Sequence, residues 1–191
     1  MGLDISIATN NYEEVYSPDY YDEENNYFST HNLSRTFCNF ICRRNVISHE
    51  PELDQIGKLT GVDINPIYSM EDYPVGDGLE FFLEKAETEE ERQAILRDAK
   101  ERKEQLEGNI DLVIATISNL IANLAMIKNL PALLQQTDFD SLDNDDYFSD
   151  FDIDKGDGYI GNNFGQDLRN FERSLKFAKE KNATTVWFTY G

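Results

Sequence analysis

Residues 109–131 read NIDLVIATISNLIANLAMIKNLP, and the fold is decided there. Ile110, Val113, Ile117, Leu120, Leu124 and Ile127 recur at steps of three and four, the repeat of one helical face. Most of the remaining circumference is apolar too, which predicts a central helix ended by Pro131. Ser118, Asn119, Asn123, Lys128 and Asn129 interrupt the run too often for a bilayer span, so it reads as a buried helix. Upstream, Thr88 and Glu91 match a capping box, and Ile95, Ala99, Arg102 and Leu106 continue the same spacing. Residues 89–107 are otherwise mostly charged, which predicts a helix lying along the surface. Gly108 stands between the halves and either breaks or bends the run.

Outward from this centre, Leu3, Ile5 and Ile7 alternate with Asp4, Ser6 and Ala8, the pattern of a strand with one buried face. Residues 185–190, TVWFTY, are β-branched or aromatic throughout and predict a second strand. Two terminal strands separated by helical sequence are expected to pair, since a lone strand leaves its backbone groups open. Thr30 reads as the cap of a helix bearing Leu33, Phe37, Phe40 and Ile41. Ser48 and Pro51 open another that carries Leu53, Ile56 and Leu59, with Gly61 after its end. Pro66, Pro74, Gly76 and Gly78 mark a loop, and Phe164, Leu168, Phe171, Leu175 and Ala178 form the stripe of a last helix. The expected fold is α+β in a single domain over residues 1–191. It is mostly helical, with a long helix or helical hairpin, shorter helices, and a small sheet pairing the N- and C-terminal strands.

The chain has 191 residues, 37 of them acidic and 17 basic, giving a formal charge of −20. Aromatic residues make up 12% and hydrophobic residues 40%, which excludes a disordered polyanion. A field of that sign repels phosphates and anionic lipid, so no nucleic-acid or membrane partner is expected. The opening residues lack the cationic start and apolar run of a secretory signal. Cys38 and Cys42, four apart on the predicted helix, would hold their Cβ atoms about 5–6 Å apart, whereas a disulfide needs roughly 3.8 Å. Two free thiols point to a reducing, cytoplasmic location.

Two acidic segments, 12–27 and 138–157, read as loops. The first interleaves tyrosines with carboxylates, a composition suited to gripping a basic protein surface. Tyr16, Tyr20, Tyr21, Asp22, Glu23 and Glu24 are its candidate binding residues, and Asp143, Asp145 and Asp146 form a second patch. Residues 152–160, DIDKGDGYI, resemble a calcium loop out of register, since no alignment gives both the glycine at position six and the glutamate at twelve. Asp150, Asp152, Asp154 and Asp157 are the candidate ligands for weak calcium, and no other cofactor is expected. His31, Cys38, Cys42 and His49 are spaced by seven, four and seven. Seven helical residues span about 10.5 Å, too far for one zinc. No nucleophile motif or phosphate-binding glycine loop accompanies the two histidines.

The opening Met1-Gly2-Leu3-Asp4-Ile5, followed by Tyr27-Phe28-x-x-His31-x-Leu33-x-x-x-Phe37, resembles a loose group of uncharacterised bacterial and phage proteins. Those begin M-G-L-D-I and continue into an aromatic-rich helix with a central histidine or asparagine. The resemblance implies a bacterial or phage intracellular origin and no particular activity.

These readings favour a non-catalytic acidic protein that occupies a basic surface of another protein, in the manner of immunity proteins or phage inhibitors. The alternatives are a divalent-cation-binding protein built on the aspartates of 150–157, and an enzyme using His31. The long helical segment is also a candidate for homo-oligomer formation through its seam.

Overall fold

The computed structural model describes residues 4–16, 32–72, 74, 77–135, 144–156 and 161–190. In chain order these form β1 (Ile5–Thr9), α1 (Tyr12–Tyr16), α2 (Arg35–Cys42), α3 (Glu52–Thr60), α4 (Asn65–Tyr68), α5 (Asp77–Lys85), α6 (Glu89–Leu106), α7 (Ile110–Leu124), α8 (Asn144–Tyr147), α9 (Phe164–Glu180) and β2 (Val186–Tyr190). Short 3-10 turns occupy Arg43–Asn45, Ser69–Asp72 and Leu130–Leu133. The fold is α+β and mostly helical, with one two-stranded antiparallel sheet joining the terminal strands. No helix among the described residues is long and apolar enough to cross a membrane.

Helix α7 is central because its periodic residues are large and aliphatic. Ile110, Val113, Ile117, Leu120 and Leu124 are all buried, and each such side chain contributes about 1.5–3 kcal/mol when fully removed from water. It packs on α9, whose Phe164, Leu168, Phe171, Leu175 and Ala178 are buried in turn. Helix α6 buries only Ala99 and lies on the surface, as its charge predicts. Its Thr88–Glu91 capping box is present in both directions. Gly108 takes φ +79°, a left-handed conformation that breaks the run into two helices. That junction is fixed to the sheet end: Gly108 N–H donates to Thr185 Oγ1 at 3.0 Å and Ile110 N–H to the Thr184 carbonyl at 3.2 Å.

The strands pair with Ile5 opposite Tyr190 and Thr9 opposite Val186. Ile5, Ile7, Val186 and Phe188 point inward. Beyond the last pair, the Asn10 carboxamide accepts both the Thr184 and Thr185 N–H groups at 3.0 Å, closing the sheet end.

Several local expectations are corrected. Residues 12–16 form α1 rather than loop, because Val15 and Tyr16 find core positions against β1. Helix α2 starts at Arg35, capped by Ser34, whose Oγ accepts the Phe37 N–H at 3.1 Å. Thr30 lies outside the described residues. The region of Pro66 is helix α4, since proline in the first turn forfeits no intrahelical bond, and Gly78 lies within α5. Helix α7 ends at Leu124, before Pro131. The left-handed Asn129 (φ +56°) redirects the chain, and Pro131 opens the 3-10 turn instead. The segment 138–157 is not wholly loop, since it contains α8. The stop at Gly61 holds, with φ +70° after α3.

Candidate functional site

Helix α9 is polar where it meets the chain before it, and that polarity builds the site. Asn163 caps α9, its Oδ1 accepting the Gln166 N–H at 3.0 Å, while its Nδ2 donates to the Ser149 carbonyl at 2.8 Å. Two residues on, Gly165 lies so close to the segment after α8 that an added Cβ would sit 2.8 Å from the Phe151 carbonyl oxygen. Gln166 is fully buried; its Oε1 accepts the Lys155 N–H at 3.0 Å and its Nε2 donates to Asn170 Oδ1 at 2.9 Å. These bonds hold residues 149–156 against the helix.

Beneath lies Asp167, also fully buried. Its carboxyl receives the Ser34 N–H at 2.8 Å, the Ser34 hydroxyl at 2.7 Å and the Tyr147 hydroxyl at 2.9 Å. Burial pushes its pKa up to about 7, against the opposing pull of the Ser34 and Tyr147 bonds. The same burial, with the Asp167 charge beside it, raises Tyr147 well above the ordinary phenol value. Asp167 thereby ties α2, α8 and α9 together.

An aromatic cluster covers this network. Phe164 packs against Phe40 at 5.2 Å and Phe148 at 5.1 Å between ring centroids, and Tyr147 against Phe148 at 4.9 Å. Between this cluster and the 3-10 turn Leu130–Leu133 opens a cleft of about 630 Å³. Leu130, Pro131, Phe148 and Phe151 give it apolar walls; Asp145, Asp150, Asp152 and Lys128 are its charged residues. The three aspartates are exposed. Asp150 is in the left-handed region (φ +48°), a conformation that a short polar side chain tolerates better than most.

The structure thus brings together residues that the sequence assigned to two different roles. Asp145, from the second protein-binding patch, and Asp150 and Asp152, from the calcium set, line one cleft. Asp146 is exposed on the same short helix. Asp154 is engaged elsewhere: its Oδ1 accepts the Gly156 N–H at 2.9 Å and its Oδ2 pairs with Arg173 at 2.6 Å. The Gly156 bond, followed by Arg173, holds its carboxyl below the usual range. No group of three or more His, Cys, Asp or Glu side chains among the described residues is arranged to hold a metal ion. Tyr16 is not a surface anchor. It is buried, stacks on Tyr12 at 4.4 Å and donates its hydroxyl to the Ile7 carbonyl, because α1 folds back on β1. Tyr20, Tyr21, Asp22, Glu23, Glu24, His31, Asp143 and Asp157 lie outside the described residues.

The thiols are free, with Sγ atoms 4.0 Å apart on α2. Cys38 is fully buried, and the neighbouring Cys42 sulfur together with burial holds it as a thiol. His49 is exposed beyond the end of that helix.

Two features of the cleft escaped the sequence reading: its apolar walls and its dependence on Asn163, Gly165 and Gln166. The cleft joins segments 127–131 and 145–153, which no local periodicity relates. A run of polar residues at 163, 166, 167 and 170 beside the Phe164–Leu168–Phe171 stripe was the one available signal. Comparison with protein-family models, curated proteins and solved structures gives no match.

Proposed function

We propose that this protein is a non-catalytic binding protein that occupies a basic surface of another protein, receiving an arginine or lysine side chain in the cleft between residues 127–131 and 145–153. The observation that carries this reading is the combination of apolar walls (Leu130, Phe148, Phe151) with three exposed carboxylates (Asp145, Asp150, Asp152) in one concavity. Arginine and lysine have that construction in reverse, an aliphatic stem ending in a cation. Lys128 shares the cleft with these carboxylates. The net charge of −20 supports the same reading by accelerating encounter with cationic surfaces at low salt. Tyr20, Tyr21, Asp22, Glu23, Glu24 and Asp143 belong to the proposed contact region as its sequence-derived part. The cleft residues carry its test.

The test uses a labelled arginine-rich peptide and its uncharged citrulline counterpart, with binding followed by anisotropy. The expected result is binding of the cationic peptide alone, weakening with added salt. In the triple variant D145N/D150N/D152N that binding falls about tenfold or more, a loss of roughly 1.4 kcal/mol. Equal affinity of the variant and the unaltered protein would falsify the reading.

A further inference from the structure

Helix α6 differs in charge from the rest of the chain. It carries six acidic and five basic residues, so nineteen of the twenty net negative charges reside elsewhere. Both signs occur along its length, with Arg92 beside the first-turn glutamates and Glu101 and Glu104 among the bases near the end, where Lys100 pairs with Glu104 at 3.6 Å. One exposed face, however, carries glutamate only near its start and lysine only near its end. Glu89, Gln93, Leu96, Lys100 and Lys103 follow one another at steps of four and three, and all five are exposed. They form one continuous stripe with leucine at its middle. Leu96 is seven residues from Glu89 and seven from Lys103, about 10.5 Å along the axis in each direction.

That symmetry has one natural complement. We propose that α6 pairs with α6 of a second copy of this chain, antiparallel, about a twofold axis at Leu96. Leu96 then meets Leu96, and Glu89 of each copy faces Lys103 of the other. A parallel arrangement would set glutamate on glutamate and lysine on lysine, so the charge order itself selects the antiparallel one. At the middle of the stripe Leu96 is 39% exposed; on the preceding α5, Phe81 and Phe82 are 50% and 59% exposed. Phe81 and Phe82 pack edge to face at 5.7 Å. Hydrogen bonding within the stripe, from Gln93 to Glu89 at 2.9 Å, keeps the Glu89 carboxylate on this face. Elsewhere two such polyanions repel, so the nearly neutral α6 is where they approach at least cost.

This proposal is independent of the cleft, and salt separates the two. Capture of a basic partner weakens as salt is added, whereas self-association of two polyanions strengthens because their overall repulsion is screened. Analytical ultracentrifugation of the full chain over a concentration series, at low and high salt, is expected to show a monomer–dimer equilibrium shifted toward dimer at high salt. Leu96→Glu should give a monomer at every concentration with the circular dichroism of the native helix content, and its melting temperature should lose the concentration dependence that a dimer imposes. Glu89→Lys sets two like-charge contacts and should raise the dissociation constant about tenfold. Adding Lys103→Glu to it should restore the original value. A monomer under all these conditions, a dimer that survives Leu96→Glu, or a double variant no tighter than Glu89→Lys would each overturn the proposal.

Discussion

The Asn109 side chain forms both hydrogen bonds of a strand neighbour with Val186: its Nδ2 donates to the Val186 carbonyl at 2.9 Å and its Oδ1 accepts the Val186 N–H at 2.8 Å. Val186 is fully buried, so these two backbone groups depend on that one carboxamide for satisfaction. Asn109→Ala should destabilise the fold by about 2–4 kcal/mol, the cost of stranding a buried donor and a buried acceptor. Urea denaturation measures it. A loss below about 0.5 kcal/mol would show that water replaces the side chain.

Asp167 gives the protein a specific pH dependence. Its folded pKa of about 7 lies above the value near 3.9 expected in an unfolded chain. The protonated carboxyl therefore contributes stability that is fully present below about pH 4 and is lost as the pH rises through 7. Asp167→Asn retains shape and neutrality, and the Ser34 and Tyr147 hydroxyls can turn to accept from the new amide. The stability difference between variant and native protein should grow from pH 4 to pH 7 in favour of the variant, then level off. Urea midpoints recorded across that range check it, and parallel curves would refute the assignment.

Arg43 and Glu52 form an ion pair at 3.3 Å with side chains only 2% and 1% exposed. Glu52→Gln removes a carboxylate charge from beside the buried guanidinium and should cost about 3–5 kcal/mol. The double change Arg43→Met with Glu52→Leu removes both charges and should cost much less. Chemical denaturation of the two variants compares them directly, and equal losses would mean that packing rather than charge sets the penalty.

Gly165→Ala places a methyl group 2.8 Å from the Phe151 carbonyl oxygen, where only backbone movement relieves the clash. The expected cost is about 1–3 kcal/mol. Because Phe151 lines the cleft, affinity for the cationic peptide should fall as well. Thermal melting and the anisotropy assay read the two effects separately, and a variant unchanged in both would show that the segment after α8 gives way freely.

Much of the architecture was legible because it rests on periodic burial. The alternation at Ile5 and Ile7, the three-and-four spacing of α7 and α9, and the contrast between α6 and α7 each report which face meets the core. Caps with a local mechanism were legible too, including Thr88–Glu91 and Gly61. The errors share a different cause. Tyr16 sits among carboxylates, so composition describes it as surface, yet the Ile7 carbonyl nine residues earlier draws its hydroxyl inward. Pro66, grouped with Pro74, Gly76 and Gly78, reads as marking a loop, yet it stands in the one turn of a helix that tolerates proline. Asp167 is buried only because Ser34 and Tyr147, which are 133 and 20 residues away, bring three donors to it. Partners at such separations leave no mark in a window of neighbouring residues.

The pairing of Ile5–Thr9 with Val186–Tyr190 also bears on biosynthesis. A nascent chain leaving the ribosome has α7 and its neighbours long before Val186 has been translated. Until then Ile5 and Ile7 have no strand beside them. Any product truncated upstream of Val186 therefore displays an open, oily edge, the kind of feature by which chaperones and proteases distinguish unfinished chains from finished ones.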